Sequence, residues 1–247
     1  MMSTQFYVDP ALRPLFAEAG LDSFEALMHR GARKIQRFAL SDGSAFYLKR
    51  EEGEPVWKKC VPMFLRGLRP HSGPLREVRL LQMLRSNGFL AMEPVAWGEQ
   101  RLLGVPLRGF LVVREVKGEE LAKLFDRSNG TERQQLMKAF GRLVGRLHAK
   151  GFFHPVRLKD LISTADGLVL IDRETSKPWR SLFFPQQCRD SLARAIRRMI
   201  RDGHQIGAGS ACAFLRGYRR GVAERWKISP CDLTAQICSA LRSEMES

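Results

Sequence analysis

The chain has 247 residues, with 41 Lys and Arg against 26 Asp and Glu, a formal net charge of +15 and a hydrophobic fraction of 44%. These are the proportions of a globular protein able to bury a full core, with a field that attracts polyanions: nucleic acid, an anionic membrane face or a phosphorylated glycolipid. Acidic and basic residues among the first thirty (Asp9, Arg13, Glu18, Asp22, Glu25) exclude an apolar signal stretch there, and no run of 18 apolar residues offers a membrane span.

Taken in chain order, residues 5–30 read as a lead-in ending in a short helix over Asp22–His29. Two strands follow, Lys34–Leu40 and Ala45–Arg50, joined by Ser41-Asp42-Gly43-Ser44, an Asp-Gly hairpin signal. Residues 51–73 are rich in Gly, Pro, Lys and Arg and read as a basic loop. A helix is predicted from Pro74 to Ser86: proline suits its first turn, Leu75, Val78, Leu81 and Leu84 recur at helical spacing, and Asn87-Gly88 stops it. Strands are predicted at Val95–Gly98 and Gly109–Val116, the second apolar enough to be buried.

The clearest helix begins at Thr131, where Thr131 and Gln134 have capping-box spacing. Its apolar face is Leu136, Phe140, Leu143, Val144 and Leu147, and Gly151 closes it. An irregular stretch, Phe152–Leu158, precedes a second Asp-Gly hairpin, Leu161–Thr164 with Leu168–Ile171. From about Gln187 the pattern is helical and basic. The order predicts an α+β protein with an antiparallel β-rich front and a helical back.

The five cysteines (Cys60, Cys188, Cys212, Cys231, Cys238) show no C-x-x-C pair and no metal-ligand spacing, and read as free thiols in a reducing, cytoplasmic compartment. Four charged residues form an ordered set: Lys49 ending a strand, Glu77 early in the next helix, Glu115 ending the buried strand before Lys117-Gly118, and Asp172 after the second hairpin. Singly they read as an edge charge, a dipole-favouring carboxylate and turn residues. Together, with a long helix and a histidine-bearing loop between them, they follow the order of protein kinases, in which phosphoryl transfer rests on positioned charge.

The segment Asp42-Gly-Ser-Ala-Phe-Tyr-Leu-Lys49-Arg resembles the strand-lysine motif of the lipopolysaccharide kinases, the bacterial family that phosphorylates Kdo or heptose of the inner core. Pro74-Leu-Arg-Glu77, Glu93-Pro-Val-Ala-Trp-Gly98, Gly141-Arg-Leu-Val-Gly-Arg-Leu-His148 through His154, and Leu170-Ile171-Asp172-Arg173 are similar to that family's later motifs. The resemblance covers roughly residues 23–180. It implies a two-lobed protein-kinase-like fold, with an N-lobe over 1–114, a hinge over 115–118 and a helical C-lobe over 119–247.

It also implies ATP with Mg²⁺, and an acceptor sugar on a lipopolysaccharide core or other anionic glycolipid at the cytoplasmic face of the inner membrane. Lys49 would contact phosphates, Glu77 would pair with it, Glu115 and Lys117 would lie at the nucleotide, and Asp172 would hold the metal. His148 and His154 would be scaffold histidines bonded to the loop backbone.

The chain departs from the family pattern twice. No Gly-x-Gly-x-x-Gly loop precedes Lys49, and only Arg30-Gly31-Ala32 stands near its place. Kinases set an aspartate two residues after the loop histidine and a metal-binding Asn seven after. Here those places hold Val156 and Leu161, which neither accept a proton nor ligate Mg²⁺. Asp160 is the nearest substitute. The departure opens a second reading, a pseudokinase-like binding protein that assists a partner kinase.

Arg194, Arg197, Arg198 and Arg201 share one helical face opposite Leu192, Ile196, Met199 and Ile200, with Arg216, Arg219 and Arg220 further on. That basic half reads either as a solvated surface or as a patch for core phosphates or an anionic leaflet. Nucleic acid ranks third, since no zinc-finger, RNP-like or other recognition motif accompanies the charge.

Overall fold

In the computed structural model, residues 2–30, 34–52, 70–171 and 184–223 are described. Most of the basic loop, Gly31 to Arg33, Asp172 and the segment after it, and everything beyond Ala223 lie outside them. The chain divides into two compact units, the first running to Val116 and the second starting at Lys117.

Among the described residues, the first unit is a five-stranded antiparallel sheet with three helices. Its strands are β1 (Met2–Val8), β2 (Ile35–Ala39), β3 (Ala45–Glu52), β4 (Pro94–Leu102) and β5 (Val105–Arg114), in the order β1-β4-β5-β3-β2. The helices are α1 (Arg13–Glu18), α2 (Phe24–His29) and α3 (Gly73–Ser86). The start of the chain departs from expectation: β1 is a strand, paired along its length with β4, although nearly all of it is exposed.

Local chemistry sets the turns. Asp42 Oδ1 accepts from the Ser44 amide at 2.8 Å, and Gly43 takes φ +78° to close the β2–β3 hairpin. β4 and β5 join through Leu103-Gly104, both at positive φ, as a right-twisting two-residue hairpin requires. At the end of α3, Gly88 turns at φ +78° while the Phe89 amide reaches back to the Leu84 carbonyl.

Period-two alternation divides the sheet's faces. Phe46 and Leu48 of β3 and Phe110 and Val112 of β5 join Phe16, Phe24, Leu27 and Met28 in one core beneath α1 and α2. The intervening residues point to the other face, where α3 packs with Leu75, Val78, Leu81 and Leu84 buried. Lys49 stands directly opposite Leu111 on that second face.

The second unit holds a three-stranded antiparallel sheet of β6 (Glu119–Glu120), β7 (Leu161–Thr164) and β8 (Gly167–Leu170). Its helices are α4 (Leu121–Arg127), α5 (Gly130–Ala149), α6 (Phe184–Arg201) and α7 (Ala208–Ala223), with a 3₁₀ turn at Leu158–Asp160. Helix α5 starts one residue earlier than its sequence signal: Asn129 is the N-cap and no side chain caps it, so the Thr131–Gln134 box does not form.

Helices α5 and α7 meet backbone to backbone. A Cβ added at Gly141 or Gly145 would strike the carbonyl oxygens of Phe214 and Tyr218, and one at Gly217 or Gly221 those of Lys138 and Arg142. Four glycines at four-residue spacing, two per helix, make that approach sterically feasible.

Candidate nucleotide-phosphate site

The two elements that alternation turns toward each other carry opposite charges. Lys49 Nζ donates to Glu77 Oε1 at 2.7 Å, and the side chains are only 17% and 8% exposed. An ammonium in that place is held in one position by a charge-assisted bond to a carboxylate.

What fixes α3, and so Glu77, is a row across three adjacent strands. Glu51 of β3 and Glu99 of β4 both stand beside Gly109 of β5, on the same face as Lys49. Glu51 Oε2 accepts from the Gly73 amide at 2.5 Å, and Glu99 Oε2 from the Ser72 amide at 2.5 Å. These are the amides at the very start of α3. Two carboxylates therefore satisfy orphan donors and oppose the positive end of the helix dipole.

Gly109 between them is bare because a Cβ there would meet Ser72 Oγ. Glu99 is fully buried and is balanced by Arg101, whose Nε lies 2.6 Å from Oε1. Arg101 Nη2 and Glu99 Oε1 also both lie against His71 Nδ1. Burial, then the nearby Arg79, depress the His71 pKa.

Neither Glu51 nor Glu99 is singled out by sequence reasoning. The isolated glycine inside a strand pattern is the one signal that marks such a close approach.

At the strand end, Glu115 is held by Arg37 through two hydrogen bonds of 2.6 and 2.8 Å, and its amide donates to Ala45 O. That ion pair raises the Arg37 pKa. Lys117 is exposed, and it begins the second unit. Asp172 is outside the described residues, and among those residues no cluster of His, Cys, Asp and Glu has the makings of a metal site.

The second unit shows where the loop residues go. Val156 is 2% exposed and lines a small apolar cavity of about 50 Å³ with Phe140, Val144, Leu192 and Met199. Asp160 is also buried: Oδ2 accepts from the Arg157 amide at 2.9 Å, and Oδ1 from the Arg157 guanidinium at 2.9 Å. Its own carbonyl receives the Ile171 amide. The carboxylate thus closes the 3₁₀ turn, and the backbone carbonyl ties the turn to the end of β8.

His148 is a scaffold residue of a different kind from that expected. Its ring nitrogens bond side chains, Tyr218 Oη at 2.8 Å and Ser191 Oγ at 3.0 Å. Burial pushes the neighbouring Cys188 thiol up to about 12, which keeps it protonated and inert. Ile200, expected on the apolar side of α6, is 54% exposed, whereas Leu192 and Met199 are buried.

Among known proteins, residues 26–156 match the model of the lipopolysaccharide kinase (Kdo/WaaP) family. No curated protein sequence matches the chain. Among solved structures, WaaP in complex with acyl carrier protein superposes with a TM-score of 0.60 at 18% identity, over 98% of both chains. A MAP kinase from Leishmania major aligns more loosely, at 0.42 and 12% identity, over 85% of this chain and 59% of its own. The fold is protein-kinase-like.

Proposed function

Since the chain belongs to the lipopolysaccharide kinase (Kdo/WaaP) family, we propose that it is an ATP-dependent phosphotransferase acting on an inner-core sugar, Kdo or heptose, of a lipopolysaccharide at the cytoplasmic face of the inner membrane. The observation that carries the nucleotide half is the Lys49–Glu77 pair at 2.7 Å, formed and clamped from the sheet. The ammonium suits nucleotide phosphates, and Glu77 keeps it charged and in place. Glu115, near the end of the first unit in sequence, and Lys117, which begins the second, are proposed for adenine contacts.

The residues proposed for Mg²⁺ reduce to Asp172, a hard oxygen donor of the right chemistry. When bound, the metal would neutralise charge on the phosphates. Asp160, read from the sequence as a substitute base, is better suited to holding the loop, because its carboxylate is buried and bonded to Arg157. Transfer then rests on positioning and charge, without the ~10²–10⁴-fold contribution of a general base.

That same loop favours a second reading, a pseudokinase that binds nucleotide or glycolipid and assists a partner kinase. The test is to incubate the chain with labelled ATP, Mg²⁺ and dephosphorylated core glycolipid, beside Lys49→Ala and Asp172→Ala. Label transferred by the native chain and lost in both variants supports the enzyme. Thermal stabilisation by ATP without transfer supports the pseudokinase, and absence of both responses rejects the nucleotide site.

A further inference from the structure

A concave groove of about 590 Å³ lies on the second unit between α5 and α7. Lys138 of α5 and Arg216, Arg219 and Arg220 of α7 line it, with Thr131 and Gln134 supplying neutral hydrogen-bonding groups. All are exposed, and no acidic side chain lines the groove among the described residues. The sixteen residues of α7 include no Asp or Glu, and Glu132 is the one acid of α5. Thr131 sits in the first turn of α5, where unpaired amides add a positive dipole end.

Two features separate this groove from a solvated basic surface. Its walls are fixed, because the glycine crossing of α5 on α7 leaves no side chain between the helices to readjust. The backbone spacing of Lys138 to Arg216 and Arg220 is therefore preset, leaving only the rotamers of these exposed side chains for a ligand to order. Its lining also mixes cations with neutral amide and hydroxyl groups. A bare phosphate needs only the cations, and a flat bilayer does not fill a concavity. A sugar bearing phosphates uses both.

We propose that the α5–α7 groove is a binding site for a phosphorylated saccharide, with Lys138, Arg216 and Arg220 holding phosphoryl groups and Thr131 and Gln134 holding hydroxyls. The phosphate assignment stands on the groove alone; the saccharide assignment also rests on the family reading above. The site belongs to the second unit, whereas the Lys49–Glu77 pair belongs to the first, so the two are separable by mutation.

Calorimetric titration of the full chain with a deacylated, phosphorylated core oligosaccharide tests the proposal, beside the dephosphorylated oligosaccharide, inorganic pyrophosphate, anionic vesicles and single-stranded RNA. Each cation contributes about fivefold, so Lys138→Gln/Arg216→Gln/Arg220→Gln lowers affinity for the phosphorylated sugar on the order of a hundredfold. Its melting temperature stays unchanged, since these residues are exposed. Lys49→Ala removes ATP binding and leaves the sugar titration intact, so failure of the kinase reading and failure of this one give different results. Equal affinity for sugars with and without phosphate, tighter binding of pyrophosphate, vesicles or RNA than of the phosphorylated sugar, or an undiminished triple variant each overturns the proposal.

Discussion

Val156, set by sequence register at the place expected for a kinase catalytic aspartate, has its side chain lining an apolar cavity with Phe140 and Leu192. Restoring the family residue is therefore a destabilising change. We expect Val156→Asp to cost about 3 kcal/mol or more, read as a lowered denaturation midpoint, with no gain in labelled-phosphate transfer. A gain in transfer at native stability would show the loop free to turn outward. His71 gives a second expectation. Its folded pKa lies below the ordinary 6.5, so the unfolded chain binds the proton more readily. The neutral histidine's contribution is full above 6.5 and is lost as pH falls from there toward the folded value. Thermal melts of the native chain should drop more steeply between pH 7 and 5 than those of His71→Gln.

For α3, position is set by backbone amides meeting strand carboxylates. Glu99→Gln keeps the shape but replaces a charged acceptor by a neutral one beside Arg101, and we expect a loss of about 2 kcal/mol. Nucleotide affinity should fall as well, since Glu77 travels with the helix; unchanged affinity would show that the clamp does not position the pair. In α7, Gly217→Ala drives a methyl against the Lys138 carbonyl. We expect about 3 kcal/mol lost in unfolding of the second unit, whereas Ala substitution at Gly203, a turn with open space around it, should cost only its backbone strain at φ +90°. The core helices were legible because apolar spacing and stop signals agreed, as in α3. The Thr131 capping box was a false start: the signal is local, but the helix begins at Gly130, which places Asn129 at the N-cap position with no side-chain cap. Strand β1 was illegible because exposed residues such as Met2, Ser3 and Gln5 declare a strand only through their β4 partners.

Across the whole chain, the pairing of Lys49 with Glu77 was expected from the kinase-like order of strand lysine and helix glutamate and from the family resemblance, although twenty residues separate the two elements. The clamp that holds them was not. Glu51 and Glu99 stand 48 positions apart, and they converge only through the pairing of both strands with β5 at Gly109. Read singly, each is one more strand carboxylate. Asp172 lies outside the described residues, and the metal role expected of it belongs to the transfer assay. That dependence on pairing has a practical corollary. Slipping β3 by a single residue along β5 would turn Lys49 into the oily layer with Phe16 and deny α3 its Glu51 anchor at once. Under the proposed nucleotide binding, ATP-dependent protection from heat would report correct strand alignment, and refolded batches would be graded by it without any measure of catalysis.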